Sequence, residues 1–301
     1  MKDATLGNLI EDLKVGFKFA AKNVVSFFLG MLGVLLVTAI ILLFVIIFVT
    51  IPLFFTVGLE AIIDFFVSWI EPFPPADATA LLGLLLFLIL PVLAPLFVAF
   101  GALFGMAREI VESEGTSAEG VFTWYRRKFF SLATGGIILF LVVIGPIGLA
   151  AWWIFAYYPM PFGMPLHIEI VLEATAVVWL IMSSGMLSMV FPSIIDGHSA
   201  LGAVRESVGL CWKYYDRVII TWLAFMGIII LPWSPLILDA ISPVFHVELA
   251  TWYVVPSTLF LLFIAIPALA IGVTRVYLIL TGEEIDSSEI PEGEPRFAEA
   301  N

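Results

Sequence analysis

The chain has 301 residues, of which 62% are hydrophobic and 13% charged, where soluble domains carry roughly 45–50% and about 25%. At a mean hydropathy of +1.12 too little polar surface remains to face water, and no polar stretch is long enough for a sizeable soluble catalytic domain. The formal net charge is −12, and the single cysteine, Cys211, excludes an intramolecular disulfide framework and a cysteine-based metal cluster.

From the N-terminus, no cleavable signal peptide is expected: Asp3, Glu11 and Asp12 precede an apolar run far longer than a signal h-region. Leu6, Leu9, Ile10, Leu13 and Phe17 recur at helical spacing beside a basic row of Lys14, Lys18 and Lys22. This pattern predicts an amphipathic helix lying in the membrane interface, its lysines reaching lipid phosphates.

Crossing about 30 Å of hydrocarbon takes roughly 20 apolar residues, and six stretches qualify: 25–56, 80–107, 129–156, 171–195, 218–241 and 253–280. After the first, over-long span, residues 58–72 predict an outer interfacial helix with Glu60, Asp64 and Glu71 on one face, ending at the proline run Pro72-Phe73-Pro74-Pro75. Arg126, Arg127 and Lys128 lie beside Trp124 and Tyr125, a composition suited to the headgroup level. In the segment before the fifth span, Val204, Val208, Cys211 and Tyr215 line up, and Glu206, Lys213 and Arg217 are expected to face away.

Basic residues set the orientation. All 13 fall before span 1, between spans 2 and 3, between spans 4 and 5, or at and after the end of span 6. The other three loops and the span ends beside them hold no lysine or arginine but several acids, among them Glu60, Asp77, Glu173 and Asp239. This positive-inside pattern predicts a multi-pass cell-membrane protein with both termini cytoplasmic. Residues 283–301 carry seven acids with little to bury, and predict a disordered acidic cytoplasmic tail.

Self-similarity organises the rest. Ser117-Ala118-Glu119-Gly120 and Ser199-Ala200-Leu201-Gly202 match, with Ala4-Thr5-Leu6-Gly7 as a weaker counterpart. The predicted fold class is all-α integral membrane. One transmembrane domain, 1–282, holds six helices as three pseudo-repeated pairs (about 4–115, 116–197 and 198–282), each preceded by a cytoplasmic amphipathic segment.

The run Ser199-Ala200-Leu201-Gly202-Ala203-Val204-Arg205-Glu206-Ser207, followed by Trp212-Lys213-Tyr214-Tyr215 and a span, resembles the membrane domain found beside some glycerophosphodiester phosphodiesterases. It also resembles related multispan families of bacteria and archaea. The resemblance implies a paired-span membrane module separate from any catalytic domain. The phosphodiesterase's own acidic and histidine pattern is lacking, so its activity is not implied here. Arg108 and Asp196 each lie near a Ser-Ala mark without the full motif.

The spans carry no ionisable group near their centres, which argues against a proton-coupled carrier. Arg108 and Arg275 sit at span ends, where snorkelling suffices. Ser183, Ser184 and Ser188 suit helix packing better than a polar groove, and Gly101 and Gly105 form a small-xxx-small pair. Pro91, Pro95, Pro146, Pro192, Pro232 and Pro267 predict kinks. His167-Ile168-Glu169 and His246-Val247-Glu248 each precede a span; if they converge, His167, Glu169, His246 and Glu248 would suit a divalent metal, the plainer reading being polar helix ends facing water. Phosphate-loop, zinc-helix and nucleophile-elbow motifs are missing, and the basic residues are too few for nucleic-acid recognition. The expectation is a non-enzymatic membrane module with no cofactor, which either binds membrane lipids or supports a protein partner or a second copy. Its headgroup contacts would be Lys14, Lys18, Lys22, Arg126, Arg127, Arg205, Lys213 and Arg217. The alternative is a transporter or lipid-moving protein with a pathway between the helix pairs.

Overall fold

The computed structural model describes residues 5–58, 60, 63–64, 67, 90–113, 116–157, 166–235 and 248–282. All the regular elements among them are helical. Five stretches are long and apolar enough to cross a membrane: Val24–Phe44, Val92–Ser113, Ile170–Asp196, Tyr215–Trp233 and Tyr253–Thr281. A bent pair, Phe129–Val143 with Gly145–Ile154, makes a sixth if counted as one span. The described residues are therefore all-helical apart from turns and caps, and the protein is polytopic.

Helix α1 (Leu6–Lys22) starts at Thr5, whose side chain accepts the Asn8 N–H at 3.2 Å. Helix α2 (Val24–Val57) follows after the single residue Asn23. Its 34 residues span about 51 Å at 1.5 Å per residue, more than the hydrocarbon core needs, as the length of its apolar run foretold. Helix α3 (Leu90–Ser113) runs past the expected end of the second span at Ala107 and so carries Arg108, Glu109 and Glu112 in its final turns. Helix α4 (Ala118–Arg127) begins at Ser117 and turns at Lys128 into α5 (Phe129–Val143). The third span then bends by 41° at Ile144 into α6 (Gly145–Tyr157), with Pro146 at its second position. The fourth span is also interrupted: α7 (Leu166–Met186) and α8 (Val190–Asp196) are separated by a turn at residues 187–189.

Helix α9 (Ala200–Lys213) is capped by Ser199, whose side chain accepts the Gly202 N–H at 3.2 Å. It turns at Tyr214 into α10 (Tyr215–Ile230), which tightens into a 3-10 turn at Leu231–Trp233. The last span is α11 (Glu248–Phe260), a π-helical stretch (Leu261–Ala265) and α12 (Ile266–Thr281). Pro267 lies just past the wide turn, where it cannot donate the regular helical bond.

The three Ser/Thr marks in the sequence are thus helix starts. Thr5, Ser117 and Ser199 all take extended backbone before a short helix, the conformation an N-cap requires. Each short helix leads into an apolar one through one non-helical residue, Asn23, Lys128 or Tyr214. The second segment, read in sequence only from its composition, is a helix like the other two.

Each short helix packs against a segment of a span: α1 lies along α12, Asp12 against Arg275 and Gly16 against Ala268, α4 packs on α3 and α9 on α8. Their buried faces only partly coincide with the apolar stripes: Leu13, Phe17, Val204 and Val208 pack against the core and Cys211 lies within it, but small and polar residues are buried beside them. In α1 the buried residues are Asp12, Gly16 and Ala20, while Leu6 and Ile10 are exposed. In α9 they are Ala200, Ala203, Ser207 and Cys211, and Glu206 turns inward instead of facing away. Small residues let helix backbones approach closely. A Cβ on Gly16 would lie 2.7 Å from the Ala268 carbonyl oxygen. Gly101 and Gly105 do similar work in α3: a Cβ on Gly101 would lie 2.6 Å from Leu132 Cδ2, and one on Gly105 would overlap the Trp124 ring.

The outer segment 58–72 and the tail 283–301 fall mostly or wholly outside the described residues; Glu60, Ile63 and Asp64 are exposed.

Gly16→Val is expected to lower the thermal midpoint in detergent, with a loss on the order of 1–3 kcal/mol, because the obstructing atom is backbone and cannot rotate away. Gly209→Ala serves as the contrast: a Cβ there meets nothing within 4 Å, and the midpoint should hold or rise.

Candidate functional site

Burying a charge in an apolar bundle demands a partner. The structure meets that demand at one end, where the short helices meet the ends of the spans. Asp12, fully buried in α1, pairs with Arg217 of α10 and, at 2.5 Å, with Arg275 of α12. Glu11, half exposed, adds a second carboxylate at 2.5 Å from Arg275. Three helices that lie far apart in the chain are tied at this point. Burial lifts the Asp12 carboxyl to about 6, against the pull of the Arg217 and Arg275 guanidiniums.

A second cluster joins α3, α8, α9 and α12. Arg108 donates to Asp196 at 2.5 Å and to Glu112 at 2.7 Å. The Tyr277 hydroxyl, buried in α12, lies 3.0 Å from Asp196 Oδ2 and 3.2 Å from Glu206 Oε1, so two carboxylates share one phenolic proton. Ser193 donates to Glu206, and His198 Nδ1 stands 3.1 Å from Glu206 Oε2. A third, smaller contact fixes α4: Glu109 accepts Trp124 Nε1 at 2.8 Å and the Thr116 hydroxyl at 2.7 Å.

The helix breaks are treated in the same way. Ser207 of α9 donates to the Met186 carbonyl at 2.7 Å and accepts the Met189 N–H at 3.2 Å. One hydroxyl thereby satisfies both sides of the interruption between α7 and α8. Within α7, Ser183 bonds back to the Trp179 carbonyl, and Ser184 bonds to the Leu180 carbonyl and accepts Trp222 Nε1 at 3.1 Å.

Of the basic residues expected at lipid phosphates, Lys14, Lys18, Lys22, Arg126, Arg127, Arg205 and Lys213 are exposed. Several rest their cations on rings: Lys18 and Lys22 over Phe19, Arg127 over Trp124, and Lys213 over Tyr214. Arg126 and Arg127 line a surface groove of about 550 Å³ with Phe122 and Thr123. Arg217 is placed differently, buried against Asp12. Arg108 and Arg275 do not snorkel alone; acids brought by other helices hold both.

The proposed metal ligands cannot be joined in space: His246 and the side chains of His167, Glu169 and Glu248 lie outside the described residues. Among the described residues, no group of three or more His, Cys, Asp or Glu side chains is placed to hold a metal ion.

Sequence reasoning passed over Asp12, Glu109, Asp196, Glu206 and Tyr277. A signal existed for the first. Asp12, Gly16 and Ala20 stand four apart, a face of small residues with an acid at one end. Nothing in the chain order announces that Tyr277 meets Asp196, 81 residues away.

Comparison with known proteins returned no family model, no curated protein and no solved structure that matches the chain.

The Asp12 cluster gives a pH-dependent expectation. A native carboxyl at about 6 against an ordinary 3.8 takes up its proton first in the folded state as pH falls, so this group's contribution to stability declines as pH rises through that window. Arg275→Gln removes a partner of the ionised form. It should cost about 3 kcal/mol at pH 7.5, and the loss should shrink at pH 5, where Asp12 is protonated. Thermal unfolding in detergent at both pH values checks the sign; an equal loss at both would refute it.

Proposed function

We propose that the protein is a non-enzymatic membrane module built from three helix-pair repeats, which binds anionic lipid through its basic end. The observation that carries the reading is the segregation of polarity. Among the described residues the charged clusters gather where short helices meet span ends, while Phe27, Val34, Val98, Leu132, Met189 and Phe225 fill the interior.

The packing order supports the repeat. Helix α4 rests on α2 and α3, α9 on α5 and α8, and α1 on α10 and α12. On this reading each short helix covers the pair before it, and α1 closes the ring by covering the last. The extended backbone shared by Thr5, Ser117 and Ser199 and the one-residue elbows favour the same division. The charged end is taken as cytoplasmic from the placement of the basic residues. The likeness of 199–207 to the membrane domain beside glycerophosphodiester phosphodiesterases agrees with a module that carries no active site of its own.

Exposed cations beside Phe19, Phe122, Trp124 and Tyr214 suit a headgroup contact, since ring and stem stay apolar while the charge reaches phosphate. The second reading, a lipid-moving or transport protein, draws on the interruptions at Ile144, at residues 187–189 and at Leu261–Ala265. Broken helices are a transporter's usual means of exposing backbone groups to cargo.

Combined neutralisation of Lys14, Lys18, Lys22, Arg126, Arg127, Arg205 and Lys213 to Gln tests the lipid reading. At about 1 kcal/mol per basic residue near an anionic surface, retention of phosphatidylglycerol over phosphatidylcholine should fall at least tenfold by native mass spectrometry. Unchanged retention would sink it. Flux of lipid or solute in vesicles with the purified protein would favour the second reading.

A further inference from the structure

A pocket of about 130 Å³ opens beside the first turn of α1, lined by Thr5, Leu6, Leu9, Arg217, Ile220 and Thr221. Two of these residues are buried and hold hydrogen-bonding atoms with no partner among the described residues. Arg217 is 3% exposed, and its Nε is unsatisfied although its terminal nitrogen pairs with Asp12. Thr221 is 1% exposed, and its hydroxyl is also unsatisfied. Buried donors left unpaired are uncommon and costly. Here two of them belong to side chains that line one pocket, one helical turn apart on α10.

The third contribution is the start of α1. This 17-residue helix presents the positive end of its dipole at Thr5. The Thr5 hydroxyl takes the Asn8 N–H, which leaves the first-turn amides of Leu6 and Gly7 without an intrahelical acceptor. A guanidinium edge, a hydroxyl and helix N-terminal amides form a donor set for a tetrahedral oxyanion. Asp12 and Glu11 balance Arg217 and Arg275 in formal charge, so attraction there is local and directional instead of long-range. The rim is apolar and open: Leu6 is 76% exposed and Ile220 44%. An acyl chain could leave along these residues without crossing water.

We propose that this pocket binds a phosphoryl group, carried by a membrane phospholipid whose chains lie over Leu6 and Ile220. The inference deepens the lipid-binding reading but uses a different set of residues from the exposed cations, so the two can fail separately.

The test is thermal stabilisation of the full-length protein in detergent by three probes: a short-chain phosphatidylglycerol, the matching diacylglycerol, and inorganic phosphate. The phospholipid should raise the midpoint saturably, and diacylglycerol should not. Thr221→Val keeps the shape and removes the hydroxyl, and should weaken phospholipid binding about tenfold. Arg217→Lys keeps a charge to pair with Asp12 but loses the Nε donor, and should weaken it further. A variant in which Lys14, Lys18, Lys22 and Arg205 are neutralised should keep this saturable shift even if its retention of anionic lipid falls. Stabilisation by inorganic phosphate that is lost in Thr221→Val would support the phosphoryl site and assign it to a free anion. Equal stabilisation by diacylglycerol, no stabilisation by any probe, or a Thr221→Val protein indistinguishable from the parent would overturn the proposal.

Discussion

A carboxylate with no access to water, such as Asp12, is tolerated in an apolar bundle only if other chain segments bring it donors. Much of the charged end follows from that constraint. Asp12 requires Arg217 and Arg275, and their helices must therefore converge on α1. Asp196 and Glu206 require Arg108, Tyr277 and Ser193, which brings α3 and α12 to the junction of α8 and α9. Such pairs contribute little to net stability compared with apolar side chains of the same volume, because desolvation offsets the attraction. Their effect is on register. If α1 slid by one turn along α12, Asp12 would leave its arginines and Gly16 would no longer face the Ala268 carbonyl.

Much of the fold was legible in the sequence because the signals behind it are local. The apolar runs mark spans directly, and Thr5, Ser117 and Ser199 mark helix starts: Thr5 and Ser199 cap with their own side chains, and Ser117 shares the extended backbone without a side-chain cap bond. The orientation of the short helices was legible only in part, Leu13, Phe17, Val204, Val208 and Cys211 facing the core as their spacing suggests. The apolar stripe of α1 is a genuine helical face, but in a membrane both lipid and protein accept apolar side chains, so hydrophobicity cannot say which side meets the bundle. Leu6 and Ile10 stay outside, and the face with Gly16 and Ala20 goes in because it permits close approach. The same ambiguity concealed Glu206, which occupies the polar side of α9 yet meets a buried tyrosine. Arg108 and Arg275 looked self-sufficient at span ends for a related reason. Snorkelling explains a lone cation from local sequence, whereas their acids arrive from other helices.

The interruptions in the spans bear on how the two functional readings should be weighed. A transport site built on broken helices works because the freed carbonyls and amides are left for cargo to bind. At the break between α7 and α8 those groups are already occupied. The Ser207 hydroxyl donates to Met186 and accepts from Met189, and Leu187 and Val190 beside them are buried. The break is closed by a neighbouring helix, and the one hydroxyl left without a partner there, that of Ser188, is itself buried, so the geometry serves the docking of α9. Arg217 and Thr221 present the opposite case, with donors that the protein leaves unused beside an apolar rim. Unused hydrogen-bonding atoms lie at both places, but the Ser188 hydroxyl at the break is sealed among buried residues, whereas Arg217 and Thr221 line an open pocket, the arrangement a lipid headgroup needs.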